Sequence, residues 1–215
     1  MTILPYQIVV SFVFQFSLLG IFFFSFIEGY LYPAISALFG FFLVNVPGLL
    51  RRRNIVALPW ELVLWIFIAV FLHNLGLFMK FYDTIWWWDK LTHFLSTGLI
   101  AGFGFIGIVI ADKYLPSIYL PPRFLPFFII IFVMAMGVFW EVVEYFLDAL
   151  FGTRMQYSLS DTVMDLVFNL TGAVAVAIIG PWYLKRRSVQ QLIKELRVGE
   201  TVDRIRDRLG KERDL

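Results

Sequence analysis

Apolar runs of about 20 residues recur along most of this sequence, and they restrict its fold more than any other feature. A run of that length spans the hydrocarbon core of a bilayer as one helix, because each helical residue adds about 1.5 Å. Apolar residues make up 60% of the chain and charged residues only 16%, whereas soluble domains carry about 25% charged residues. The sequence therefore predicts an all-α, polytopic membrane protein.

Six transmembrane helices account for the apolar runs. Their approximate bounds are 5–28, 34–50, 58–79, 89–110, 127–151 and 161–184. The remaining segment, 185–215, is rich in charge and has apolar residues at helical spacing: Val189, Leu192, Leu196, Val202, Ile205 and Leu209. This pattern favours short amphipathic helices on the membrane surface or in water, with a break at Gly199, and a partner-binding role is the alternative. We predict a transmembrane bundle, 1–184, and a charged cytoplasmic tail, 185–215.

The distribution of basic residues predicts the orientation. The first apolar run has no Lys or Arg before it and no Ala-x-Ala pattern, so we interpret it as a retained helix and not a signal peptide. With six helices, the side that carries both termini holds Arg51, Arg52, Arg53, Lys113, Arg123, Lys185, Arg186 and Arg187, and the other side holds Lys80, Lys90 and Arg154. The positive-inside rule then predicts a multi-pass protein of the cell (inner) membrane with both termini in the cytoplasm, and it places the Trp86-Trp87-Trp88 belt at the outer interface.

Composition argues against sites built from cysteine and against nucleic-acid binding. The chain has no cysteine, so neither a disulfide framework nor a thiolate metal site can form. The formal net charge is +2 and no basic stripe occurs outside the loops and the tail, so the sequence gives no case for a nucleic-acid partner.

Polar and ionisable residues within the last three apolar runs form three short patterns. These are Asp89-x-x-x-His93, Glu141-x-x-Glu144-x-x-x-Asp148 and Asp161-x-x-x-Asp165-x-x-x-Asn169. Spacings of three and four place each set on one helix face. Because successive helices alternate in direction, the three sets fall in the same outer half of the membrane, roughly 6 to 15 Å from the helix ends at ~1.5 Å per residue.

Such a cluster needs something to neutralise it. An ionised carboxylate at a helix centre costs about 2.5 to 3.5 kcal/mol on insertion, and crowded carboxylates also repel one another. A divalent cation, shared protons, or pairing with basic side chains can offset this cost. Simpler roles are also open for some members: helix capping for Asp89 and Asp161, solvation for Asp148, and a hydrogen-bonded core position for His93.

We assign the cluster the following roles. The expected metal ligands are Glu141, Glu144, Asp165 and His93, around a divalent ion of unknown identity. Asp161 or Asp89 is the expected catalytic residue, as a general base or a support for the ligands. Lys90 and Arg154 are the expected substrate-binding residues, for an anionic headgroup.

The same three helices resemble a known family. Trp88-Asp89-Lys90-Leu91-Thr92-His93-Phe94, Glu141-Val142-Val143-Glu144, Ser160-Asp161-Thr162-Val163-Met164-Asp165 and Gly172-Ala173 resemble the YjdF-like family of predicted inner-membrane proteins, and more distantly the VanZ-like membrane proteins linked to glycopeptide resistance. The resemblance covers roughly Asp89 to Ala173. It implies the fold and the location of the site, and it implies no reaction.

Three functions are compatible with the sequence. The first is a membrane-embedded, metal-dependent enzyme that acts on a lipid or lipid-linked substrate, such as a phosphate ester, from the outer leaflet. The second is a non-catalytic membrane protein, an assembly factor or a sensor, in which the cluster holds a structural ion. The third is an ion- or proton-coupled transporter, although the inner halves of the fourth and sixth runs offer no polar path.

Overall fold

The structure, a computed structural model, describes residues 4–115, 121–186, 189–202 and 204. Six of its helices are long and apolar enough to cross a membrane: α1 (Pro5–Ile27), α2 (Leu31–Arg52), α3 (Trp60–Phe78), α5 (Trp88–Tyr114), α6 (Leu125–Phe151) and α7 (Leu159–Arg186). Between them lie a single turn, α4 (Phe81–Thr84), and a 3-10 turn, Pro122–Phe124; α8 (Val189–Leu196) follows α7. No strand occurs among the described residues. The predicted all-α, six-helix membrane fold is confirmed.

The predicted helix bounds agree with the observed ones to within a few residues. The second helix begins at Leu31, three residues before the predicted start, because Pro33 lies in its first turn, where the missing N–H has no helical partner to lose. The break predicted at Gly199 is wrong: the turn falls at Arg197, whose φ is 57°, and Gly199 is helical. The predicted tail positions Ile205 and Leu209 lie outside the described residues.

The helices form two units, and the first consists of the described residues within 1–85 and 187–215. Within it α1, α2 and α3 pack against one another. Gly40 of α2 lets α3 approach closely, since a Cβ there would lie 2.7 Å from Asn74 Nδ2. The described part of the tail belongs to this unit: Leu192, Ile193 and Leu196 are buried, and the Ala57 amide donates to the Leu196 carbonyl at 2.8 Å. The boundary between bundle and tail after residue 184 stays a prediction.

The second unit, Trp86–Arg186, consists of α5, α6 and α7. Parallel α5 and α7 pack most closely, because Gly172 has no side chain: a Cβ there would lie 2.9 Å from the Phe94 carbonyl oxygen and 3.3 Å from the Gly98 amide nitrogen. Further along, a Cβ on Gly180 would meet the Phe105 ring at 2.9 Å.

Helix α6 runs antiparallel to the other two and completes this unit. Its buried positions, among them Ile129, Val133, Gly137 and Glu141, recur every four residues and form one continuous face. A Cβ on Gly104 of α5 would meet the Phe132 ring of α6 at 2.9 Å. This arrangement brings the first turns of α5 and α7 to the last turns of α6, which carry the ionisable residues predicted to cluster.

Candidate metal centre

Lys90 lies at the centre of the acidic cluster. Its Nζ is 3.0 Å from Asp89 Oδ2 and 3.2 Å from Asp165 Oδ1, and it also donates to Asp161. These side chains are largely shielded from solvent: Lys90 is 12% exposed, Asp89 on α5 is 15% exposed and Asp165 on α7 is 4% exposed. The ammonium therefore joins α5 to α7 through carboxylates of both helices.

His93 lies beside the same carboxylates, one turn deeper in α5. Its Nε2 is 3.5 Å from Asp89 Oδ1 and 4.0 Å from Asp165 Oδ1. Each of Asp89, His93 and Asp165 offers one ligand atom, and these atoms lie within 4.8 Å of one another. Two carboxylate oxygens and an imidazole nitrogen are a donor set that suits Zn, Mn or Fe. Asp89, predicted as a base or a supporting residue, thus belongs to the group whose ligand atoms lie close together.

Asn169 orients the histidine. Its Oδ1 accepts a hydrogen bond from Thr97 Oγ1 at 2.6 Å and lies 3.3 Å from His93 Nδ1. An oxygen acceptor at Nδ1 favours the tautomer with the proton on Nδ1, which leaves the lone pair of Nε2 directed at the carboxylates. Gly137 of α6 provides the space, because a Cβ there would lie 2.8 Å from Asn169 Nδ2.

Glu141 of α6 faces the cluster from the other side. It is 6% exposed and interacts electrostatically with His93 and Asp89. Gln156 Nε2 donates to the Glu141 carbonyl at 2.9 Å and to Oε2 at 3.3 Å, whereas the buried Oε1 has no hydrogen-bond partner among the residues that the structure describes. Buried carboxylate oxygens are rarely left unpaired, so this oxygen favours an additional ligand at the site.

Glu144 lies one helical turn from Glu141 and is also buried, at 7% exposure. Its Oε1 accepts from Trp140 Nε1 at 2.7 Å. Among the described residues, the group whose ligand atoms lie within 4.8 Å of one another contains neither Glu141 nor Glu144. The roles of Glu141 and Glu144 as direct ligands therefore stay predictions.

Asp148 organises the loop between α6 and α7. Its carboxylate accepts from Thr153 Oγ1 at 2.5 Å, from the Met155 amide at 2.9 Å and from the Gln156 amide at 2.9 Å. These bonds turn the loop back so that Gln156 reaches Glu141. Simple solvation, the role considered for Asp148 from sequence, does not describe this position, and Gln156 was not predicted because no helical spacing connects it to the cluster.

The remaining predicted residues are more peripheral. Arg154 is exposed on the loop, and no described ion pair connects it to the cluster. Asp161 lies in the first turn of α7, and its amide donates to Ser158 Oγ at 3.1 Å, so the Ser158 side chain caps this helix end. In the tryptophan belt, Trp86 is 83% exposed but Trp88 is only 7% exposed, because Trp88 begins the buried face of α5.

Comparisons with known proteins agree with the membrane fold. The family model described as "Predicted membrane protein (DUF2238)" matches residues 10–186. An uncharacterised protein of Thermotoga maritima is 32% identical over 111 residues, which cover 51% of this chain and 56% of that protein, so the chain spans about half of this relative. No solved structure matches. The family match includes most of α1, the other five long helices and the whole acidic cluster, and the chain belongs to the DUF2238 family of predicted membrane proteins.

Proposed function

We propose that this membrane protein binds a divalent metal ion at Asp89, His93 and Asp165 and uses it as an enzyme on a lipid or lipid-linked substrate. One observation carries the proposal: ligand atoms of these three residues lie within 4.8 Å of one another. The second support is His93, whose Nδ1 faces an Asn169 oxygen, so that Nε2 is the nitrogen available to an ion.

Charge balance supports the same proposal. Three aspartates contact one lysine, and two buried glutamates add charge that interacts with Asp89. Burial in a membrane protein makes unpaired carboxylates costly. An ion among Asp89, His93 and Asp165 adds the positive charge that Lys90 alone does not supply. Glu141 Oε1, for which the described residues offer no hydrogen-bond donor, is a further acceptor beside the cluster.

The position of the cluster suggests the substrate. Asp89 is the second residue of α5 and Asp161 the third of α7, so the site lies at helix ends, at the depth of lipid headgroups. A metal there polarises a phosphoryl oxygen or activates water. In this proposal Glu141 or Asp161 accepts a proton, and Arg154, which is exposed, binds an anionic headgroup at the surface.

A non-catalytic role is the second candidate, and a specific observation favours it. Lys90 contacts Asp89, Asp161 and Asp165, so part of the acidic charge already has an internal partner. In that case the cluster joins α5 to α7 as a structural ion site of an assembly factor or a sensor. Transport is less favoured, since the buried residues further along α5 and α7, such as Phe105, Val109 and Val176, are apolar.

Two finer assignments also remain proposals. The first is membership of the YjdF-like group, with a more distant relation to VanZ-like proteins. The second is the orientation in the cell (inner) membrane with both termini in the cytoplasm, which rests on the basic residues of the loops.

The test uses purified protein in mixed micelles that contain either phosphatidic acid or a polyprenyl diphosphate. We expect phosphate release that requires Mg²⁺, Mn²⁺ or Zn²⁺ and is abolished in Asp165→Asn. Lys113→Met is the matched control, because Lys113 is exposed near the other end of α5. Metal binding without turnover of either lipid would favour the structural-ion candidate.

A further inference from the structure

The ammonium group of Lys90 and a metal ion cannot occupy the centre together without conflict. The Asp165 oxygen that faces His93 is the same oxygen that lies 3.2 Å from Lys90 Nζ. Asp89 is shared in the same way, with Oδ2 directed at Lys90 and Oδ1 at His93. An ion bound to these carboxylates would lie close to the ammonium in a shielded place, where like charges repel strongly.

We infer that Lys90 is a resident counter-cation that competes with the metal, and that it keeps only its contact with Asp161 when the metal binds. This inference rests on the proposed metal site. Asp161 is the third carboxylate that Lys90 contacts, and it is outside the group of three that is able to hold the ion. It therefore offers the ammonium a partner that the metal does not take.

The displaced lysine would also be available to the substrate. Once Asp89 and Asp165 bind the ion, the ammonium keeps one carboxylate partner of three and has donors free for an anionic group. Lys90 thus couples the two events: the metal must bind first, and the anion-binding ammonium is released by it. A lysine suits this role because its charge is a compact point on a flexible stem.

The test measures Mn²⁺ affinity of the full chain in mild detergent by calorimetric titration. Lys90→Met removes the competitor, so we expect Mn²⁺ to bind at least tenfold more tightly than to the wild type. Lys113→Met, the same change near the far end of α5, should leave the affinity unchanged. Lys90→Arg, which keeps the charge, should bind Mn²⁺ no more tightly than the wild type does.

Asp161→Asn provides a second test that does not depend on the folding of Lys90→Met. It removes the one carboxylate that Lys90 keeps when the metal binds, so we expect weaker Mn²⁺ binding although Asp161 is not a ligand. Equal or weaker binding by Lys90→Met, or unchanged binding by Asp161→Asn, would overturn the competition while the metal site itself stands. If neither wild type nor any variant binds Mn²⁺, the proposed metal site fails and the competition fails with it.

Discussion

The contact between Gly137 and Asn169 allows a sharp prediction about how the histidine is held. In Gly137→Ala the new Cβ would lie 2.8 Å from Asn169 Nδ2, so the amide must retreat by about 0.6 Å to reach an ordinary contact of 3.4 Å. The Asn169 Cβ is itself only 3.5 Å from the new methyl group, so the Asn169 side chain must rotate about its own bonds to relieve the contact. This motion carries Oδ1 away from Thr97, which donates to it at 2.6 Å in a buried place.

The energetic outcome follows from two opposing effects. Leaving a buried hydroxyl or amide without its partner costs about 1 to 3 kcal/mol, while alanine in place of glycine stabilises a helix interior by roughly 0.5 to 1 kcal/mol. The difference between these ranges is about 0 to 2.5 kcal/mol, so we expect Gly137→Ala to lower the free energy of unfolding by roughly 1 kcal/mol. Because residues that orient a metal-bound histidine contribute about 10- to 100-fold in affinity, metal binding should weaken within that range.

Gly107→Ala is the matched control, since Gly107 lies on α5 and a Cβ there would meet nothing within 4 Å. It should be neutral or stabilising by up to about 1 kcal/mol, with unchanged metal affinity. Unfolding by SDS titration in mild detergent measures the first quantity, and Mn²⁺ titration measures the second. If the two alanine variants behave alike in both assays, Asn169 does not hold His93 in the way described.

Two further predictions concern the loop and the orientation. Asp148→Asn leaves one acceptor oxygen for three donors, so the loop should loosen at a cost of about 1 to 3 kcal/mol. Trypsin should then cleave faster after Arg154 than it does in the wild type. Equal cleavage in Asp148→Asn and in the exposed control Asp112→Asn would contradict this role of Asp148. The orientation is tested with single cysteines in place of Arg154 and Lys113, both of which are exposed. In intact cells, an impermeant thiol reagent should label the cysteine at position 154 and not the one at position 113. The reverse pattern would place the acidic cluster at the cytoplasmic face.

The sequence predicted the fold well because membrane spans obey one strong constraint. An apolar run of about 20 residues satisfies its own backbone hydrogen bonds only as a helix, so six runs imply six helices. The same constraint placed Asp89, His93 and Asp165 together, because helix spacing and alternating direction are sufficient to align their faces. The length and the spacing of the apolar and polar residues were therefore sufficient to predict the number of helices and the location of the cluster.

The details of the cluster depend on contacts that periodicity does not encode. Lys90 was predicted to bind a substrate, yet it contacts three carboxylates, because the two helices that carry them run parallel and very close at Gly172. Gln156 reaches Glu141 only through a loop folded by Asp148. The choice between Asp89 and Glu141 as a ligand likewise depends on side-chain positions, which sequence spacing does not determine.

The central claim is that Asp89, His93 and Asp165 bind a metal ion, and elemental analysis of the protein purified in mild detergent tests it most directly. We expect close to one divalent ion per chain, and little or none in His93→Gln or Asp165→Asn. Chelator should lower the melting temperature of the wild type and metal should restore it, since an ion at a hundredfold excess over its dissociation constant stabilises the folded state by about 2.7 kcal/mol. A folded wild-type protein without bound metal, and without a melting shift in Mg²⁺, Ca²⁺, Mn²⁺, Zn²⁺ or Fe²⁺, would contradict the claim and leave a proton-sharing carboxylate cluster paired with Lys90.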